Sequence, residues 1–239
     1  MNIAGSKDLD NSRLYLNYNI VFYMRNITLI CTTHKIIGKC IPAELYKIIQ
    51  KINPEVIFEE IDFSRINDFY RNQFVKTIET PAIVKYLQNN NCNHIPVETY
   101  DIPNSYIKNE DYLNKIFANN NKYNELYKKV FDGTKEKGFF FLNNDECSDI
   151  FEEIINFKEN YIKNIYDENI NNIYKSWLSI ENNRENEMLK NIYDFSIENN
   201  YNSALFITGA RHRKSFINKI KEYEINSKIK LNWKFTIFD

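Results

Sequence analysis

The chain has 239 residues, of which 43% are hydrophobic and 15% aromatic, and its formal net charge is −1. That length and composition suit a packed globular protein and exclude a disordered one. The near-zero charge excludes the broad positive field that draws in nucleic acid or an acidic membrane surface. Five glycines and five prolines disfavour a glycine-loop nucleotide binder and a many-turned all-β fold.

Residues 1–18 read as a polar arm, and the first eight lack the basic and apolar regions of a signal peptide. The apolar run at 20–31 is broken by Arg25 and Asn26 and is too short to span a bilayer. Cys31, Cys40, Cys92 and Cys147 form no CxxC or zinc-knuckle spacing. A reduced, cytoplasmic protein with no membrane or nucleic-acid partner is the expectation.

Along the chain, residues 19–33 hold one or two strands that end near His34. Pro42 opens a helix whose apolar stripe is Leu45, Ile48, Ile49 and Ile52, and Asn53-Pro54 ends it. Residues 55–62 read as a buried strand running into acids. Two short helices follow, the second opened by Thr80-Pro81, and residues 95–101 form a third strand. Residues 104–200 read as a helical insertion, with one candidate strand in the run Phe139-Phe140-Phe141-Leu142. Phe151, Ile154, Ile155, Tyr161, Ile162 and Ile165 mark a long amphipathic helix there, and Met188, Ile192 and Phe195 a later one. A strand over 203–208, a helix over 213–223 and a strand over 230–236 complete the chain. This order predicts a single α/β domain over 1–239. Its largely parallel central sheet is flanked by helices, and the long helical insertion precedes the penultimate strand.

Parallel strands gather their C-terminal ends on one edge, where α/β proteins build sites. That edge would collect His34, Glu59 or Glu60, Asp62, Asp101 and His212. Glu59 and Glu60 point to opposite faces, so one of them at most serves a given pocket. Nearest atoms of His34, Glu60 and His212 would then fall within about 10 Å, the width of a small-molecule pocket. Two histidines with one or two carboxylates bind Zn²⁺, Mn²⁺ or Fe²⁺, or work without metal as a general acid/base pair. The bland alternative is that strand-end polar groups cap helices and loops. His94 precedes its expected strand and so falls on the opposite edge, outside the site.

Gly209-Ala210-Arg211-His212-Arg213-Lys214 joins a tight strand-to-helix turn to basic residues at a helix start. It is a candidate anion site for a substrate group or a developing oxyanion, although Arg213 and Lys214 also fit as solvated helix residues. Arg184 and Met188 share one helical face. That pairing points Arg184 at the polar sheet edge, against the plainer reading of a surface arginine paired with Glu181 or Glu187. On this reading Arg184→Met lowers function and leaves stability within about 1 kcal/mol.

At these residues the chain resembles the Tiki/TraB superfamily, whose other branches include erythromycin esterases, ChaN-like haem-binding proteins and a toxin catalytic domain. The family pattern is a strand ending in GxxH, a strand ending in glutamate, a helix bearing Arg-Asn/Asp/Glu-x-x-Met, and a strand ending in a second GxxH. Here these are Cys31-Thr32-Thr33-His34, Glu60-Ile61-Asp62, Arg184-Glu185-Asn186-Glu187-Met188 and Gly209-Ala210-Arg211-His212. Cys31 replaces the first glycine, and Tyr100-Asp101 is similar to a strand-end Phe-Asp of the esterase branch.

The resemblance implies a hydrolase-like enzyme acting on an ester, amide or related bond of a small-molecule or peptide substrate. His34 is then the general base or a metal ligand. Glu60 orients His34 or shares the metal, and His212 is the second acid/base or ligand. Arg184, held by Glu185, stabilises developing negative charge, with Gly209 and Arg211 at the helix start assisting and Asp101 facing the substrate. The resemblance equally admits a non-catalytic small-ligand or haem-binding module, or a degenerate protein-interaction scaffold.

Overall fold

In the computed structural model, which describes residues 25–72, 76–99, 102–236 and 238, the strands are short and apolar. Strand β1 (Arg25–Thr32) is buried along its last six residues. Strand β2 (Val56–Glu59) is buried throughout, and β4 (Ser203–Gly209) is buried beyond its first residue. Such unbroken runs, with no polar alternation, belong to strands covered on both faces. Together with β3 (Asn93–Pro96) and β5 (Leu231–Lys234) they form one sheet in the order β3-β2-β4-β1-β5, with every pairing parallel. The fold is therefore α/β, a parallel sheet flanked by helices.

Helix α1 (Pro42–Ile52) carries proline in its first turn and buries Leu45, Ile48 and Ile49 on one side. Asn53 ends it in the left-handed conformation and donates its N–H to Ile49 O at 2.9 Å. After β2 come a short α2 (Ile66–Tyr70) and α3 (Glu79–Leu87). Between β3 and β4 lie α4 (Asn104–Phe117), α5 (Asn121–Lys137), α6 (Phe139–Leu142), α7 (Asp145–Ile165) and α8 (Glu168–Glu198). Helix α9 (Arg213–Asn226) then leads to β5. No helix of the described residues is long and apolar enough to cross a membrane.

The buried face of α8 is not uniformly apolar. Tyr174 and Trp177 come first, then Glu181, Arg184 and Glu185, then Met188, Leu189 and Ile192. These positions recur three or four residues apart, so one helical stripe carries a charged segment into the interior.

Two expected strands are corrected. Phe139–Leu142 is a helical turn. Gly138, with φ 64°, interrupts the helix before it, and a four-residue apolar run does not by itself distinguish buried strand from buried helix. The third strand starts at Asn93 and ends at Pro96, earlier than expected. It is an edge strand, where proline is tolerated, and His94 lies inside it. Residues 1–24, which include the expected polar arm, and Asp101 lie outside the described residues.

One side chain completes the sheet. Strand β5 pairs with β1 over Arg25 to Thr28. Beyond it, the Asn143 amide takes the place of a neighbouring strand. Its Oδ1 accepts from Cys31 N at 2.7 Å and its Nδ2 donates to Cys31 O at 3.0 Å. The same Nδ2 donates to Phe139 O at 2.9 Å, tying the α6 turn to the sheet. Asn143→Ala leaves two buried backbone groups unpaired, so urea unfolding should show a loss of about 2–4 kcal/mol. A loss near zero would mean that solvent replaces the amide.

Candidate active site

Three strand ends meet at Gly209. A Cβ on this residue would lie 3.0 Å from His34 Nε2, 3.6 Å from His212 Cδ2 and 3.7 Å from Glu60 Oε2. The register accounts for the meeting: Thr32 pairs with Gly209, and Glu59 pairs with Ile207. The φ of Gly209 is an ordinary −66°, so it is the close approach of the imidazole that requires glycine here. His34, Glu60 and His212 thus converge as their strand-end positions lead one to expect.

His34 sits in the left-handed region with φ 58°, uncommon for a residue with a side chain. Its Nδ1 is 2.9 Å from Glu79 Oε1, the oxygen that also accepts from the Thr32 hydroxyl. Burial works to lower the imidazole pKa. The Glu79 hydrogen bond and the charges of Glu79, Glu60 and Glu59 outweigh it and raise it to about 9. Solvent reaching its 44% exposed side chain moderates the effect. The raised pKa favours the imidazolium at neutral pH, a form that donates a proton rather than accepting one as the general base expected from the resemblance would.

Glu60 is anchored on every side. Its Oε2 accepts from Thr208 Oγ1 at 2.6 Å and from Gly209 N at 2.8 Å. Its Oε1 accepts from Arg184 Nη2 at 3.1 Å and lies 3.6 Å from His212 Nε2. Burial pushes this carboxyl up. The neighbouring His212, His34 and Arg184, with the Thr208 hydroxyl, hold it well below the usual carboxylate range. The Gly209 N–H, a candidate oxyanion donor by sequence, is committed to Glu60.

Arg184 is buried and meets three carboxylates. Its Nε donates to Glu98 Oε2 at 3.1 Å and its Nη2 to the same oxygen, while Nη1 donates to Glu181 Oε1 at 3.1 Å and Tyr106 Oη at 2.8 Å. Glu98 and Glu181 hold this guanidinium. Glu185, expected in that role, orients His212 instead, with its Oε1 2.7 Å from Nδ1. Arg211 Nε donates to His212 Nε2 at 3.1 Å. An Nε2 that accepts a hydrogen bond carries no proton, so this network assigns the proton to Nδ1, facing Glu185. Ser215 Oγ donates to the other oxygen of Glu185 at 2.5 Å.

His212 also lines a cavity of about 220 Å³. Phe151, Ile154 and Leu178 of the helical insertion form its apolar side, and Glu185, Arg211 and His212 its polar end. Beside His34 a void of about 20 Å³ is lined by His34, Glu59, Glu60 and Glu79 among others. That is room for one water molecule. Glu79 Oε2 is buried there with no hydrogen-bond partner among the described residues.

Other sequence readings resolve differently. His94 is not remote: its Nε2 is 2.7 Å from Glu59 Oε2, which also accepts from Tyr70 Oη at 2.6 Å. A histidine early in an edge strand reaches the end of its neighbour because its ring extends along the strand direction. Asp62 caps a turn by accepting from Ser64 N at 2.8 Å. Arg213 is buried, and its Nη2 donates to Asn143 O and Phe235 O at 2.9 Å each, while Lys214 pairs with Asp149 and Glu152 on the surface. Glu79, Glu98 and Glu181 were not expected at the site. Glu98 ends an apolar run and Glu181 precedes Arg184 by one helical turn, both usable signals; Glu79 carries none.

The metal question turns on donors already in use. His34 and Glu60 do not form a ligand cluster with His212; among the described residues the one compact acid–histidine group is Glu181, Glu185 and His212. Glu181 Oε1 accepts from Arg211 Nη2 at 2.7 Å as well as from Arg184, and Lys219 Nζ lies 3.7 Å from Glu185. Two guanidiniums on Glu181 Oε1 and an ammonium near Glu185 already supply positive charge to this group, which opposes a divalent cation there.

Removing Arg184 strands the Glu98 Oε2 oxygen and takes a positive partner from Glu60 and Glu181, so the expectation of unchanged stability is reversed. Arg184→Met should cost about 3–5 kcal/mol in urea unfolding, and Arg184→Met with Glu98→Gln should recover part of it. A cost under about 1 kcal/mol would show that solvent reaches the cluster. His34 gives a second test. Its folded pKa is raised above the unfolded value of about 6.5. Its stabilising contribution is therefore complete below about pH 6.5 and lost as pH rises through about 9. The stability difference between the native chain and His34→Gln should shrink over that window; a difference constant from pH 6 to 10 would exclude the imidazolium.

No family model, curated protein or solved structure matches the chain.

Proposed function

We propose that the chain is a hydrolase-like enzyme, akin to the Tiki/TraB superfamily, that cleaves an ester, amide or related bond without a metal. The observation that carries this reading is the meeting, around Gly209, of an imidazole with a bare Nε2 and an imidazolium. The cavity that His212 lines gives a small substrate access.

In this mechanism His212 Nε2, released from Arg211, takes a proton from water as the water oxygen bonds to the substrate carbonyl carbon. Glu185 holds the Nδ1 proton and stabilises the imidazolium formed. Arg184 and His34 supply positive charge for the carbonyl oxygen. When the tetrahedral intermediate collapses, the bond from carbon to the leaving oxygen or nitrogen breaks. The leaving group takes a proton from an imidazolium, His34 or His212. Glu60 keeps the positive groups in place and is not consumed.

The test is a screen of small acyl esters and amides. Turnover should fall about 100-fold or more in His212→Ala, and less in Glu185→Gln, which keeps the shape and weakens the orientation. Activity should decline as pH passes about 9, where His34 loses its proton. Gly209→Ala pushes a methyl group against the His34 ring and should lower turnover with stability held within about 1 kcal/mol, because that ring is half exposed. Turnover that survives His212→Ala would remove the hydrolase reading. Binding without turnover across the screen would favour the small-ligand or haem-binding module.

A further inference from the structure

Lys158, on α7, is the buried cation that the proposed mechanism does not use. It is 8% exposed, and among the described residues it makes no ion pair and no hydrogen bond. Its ammonium lies over three rings instead, 5.4 Å from the centroid of Phe117, 5.7 Å from Tyr123 and 5.2 Å from Trp177. Aromatic faces offset part of the desolvation of a cation, but they offer no lone pairs to its three N–H donors. Nearby charge does not help enough. Burial first, then the positive charge of Arg211, lower its pKa to about 8 against the attraction of Glu110.

Two further polar atoms lack partners beside it. Trp177 Nε1 and Tyr174 Oη are buried and have no hydrogen-bond partner among the described residues. Buried donors are seldom left so, and two such atoms beside an unpaired ammonium call for an explanation. Lys158, Tyr174 and Trp177 all line the 220 Å³ cavity that ends at His212. The Arg211 guanidinium lies 6.0 Å from the centroid of the same Trp177 ring, so two cations border one indole, Arg211 being paired with Glu110 and Glu181 and Lys158 with no carboxylate.

We infer that this end of the cavity is a binding subsite for an anionic oxygen group, a carboxylate or a phosphate monoester, on a small apolar body. Oxygen lone pairs would satisfy the Lys158 ammonium, the indole N–H and the phenol together, and the charge would relieve the repulsion between Lys158 and Arg211. The apolar body would lie along the Ile154 and Leu178 side chains. The cavity is smaller than pockets for drug-sized ligands, which restricts the ligand to a short chain. That this anion is one end of a substrate, with the scissile bond at His212, rests on the hydrolase reading above; the binding subsite itself does not.

The experiment is calorimetric titration of the full chain with hexanoate, hexyl phosphate and hexanol. At least one of the two anions should bind about tenfold or more tightly than hexanol, and the better of them identifies the head group. Lys158→Met should weaken that anion by about tenfold or more and leave hexanol unchanged, while Lys158→Arg retains it. Trp177→Phe keeps a ring and removes the N–H, so it should also weaken the anion, and it serves if Lys158→Met does not fold. Equal binding of hexanol and both anions, no binding of either anion, or anion binding undiminished in the Lys158 and Trp177 variants overturns the subsite. None of these titrations needs turnover, so loss of the subsite and loss of the hydrolase reading are separate results.

Discussion

The Arg184 guanidinium, buried among Glu60, Glu98 and Glu181, is the constraint from which the site's geometry follows. A buried carboxylate needs a partner, and a guanidinium offers five donors in a rigid plane. Arg184 therefore reaches the strand-end Glu60, the residue beyond β3, its own helix and the phenol of Tyr106 on α4 at once. Arg211 repeats the pattern from the sheet side, meeting Glu181, Glu110 and Tyr106. Such networks gain little stability over a well-packed apolar core. What this one supplies is position. It docks the long α8 on the C-terminal edge of the sheet and fixes the Glu60 carboxylate that both histidines face.

The two histidines come from similar sequence settings and end among different hydrogen-bond partners. His34 bonds Glu79, has Glu59 and Glu60 nearby, and keeps its proton. His212 faces Glu185 through one nitrogen and accepts from Arg211 through the other. The difference lies in the neighbours. Carboxylates lie near both rings, with Glu185, Glu60 and Glu181 at 2.7, 3.6 and 3.7 Å from His212, and His212 alone also accepts from a guanidinium, that of Arg211. Two histidines that meet around one glycine with unlike partners are the arrangement on which the proposed acid–base reading rests.

Much of this was legible in sequence because it depends on periodicity. The parallel sheet, the insertion before β4 and the gathering of His34, Glu60 and His212 follow from apolar runs that end in polar residues. Arg184 was legible because Met188 shares its helical face. What stayed hidden depends on register and side-chain reach. Glu79 opens α3 and has no pattern tying it to Thr32 and His34. His94 looked remote because its strand was read to start one residue after it. Glu185 was assigned to Arg184 by adjacency, but neighbours in a helix point in different directions, and its side chain turns to α9 and His212. Arg213 looked like a surface residue because charge is usually solvated, yet carbonyls just past the ends of α6 and β5 take its guanidinium.

The amide of Asn143 has a further consequence. Where β5 stops, β1 continues with an N–H and a carbonyl turned outward, the kind of open ladder onto which a strand from another molecule can add. Asn143 occupies both groups with a side chain that cannot itself be extended into a strand. Losing it would expose a sticky edge at the end of a strongly apolar strand, so its absence would tell on self-association during folding as well as on the folded state.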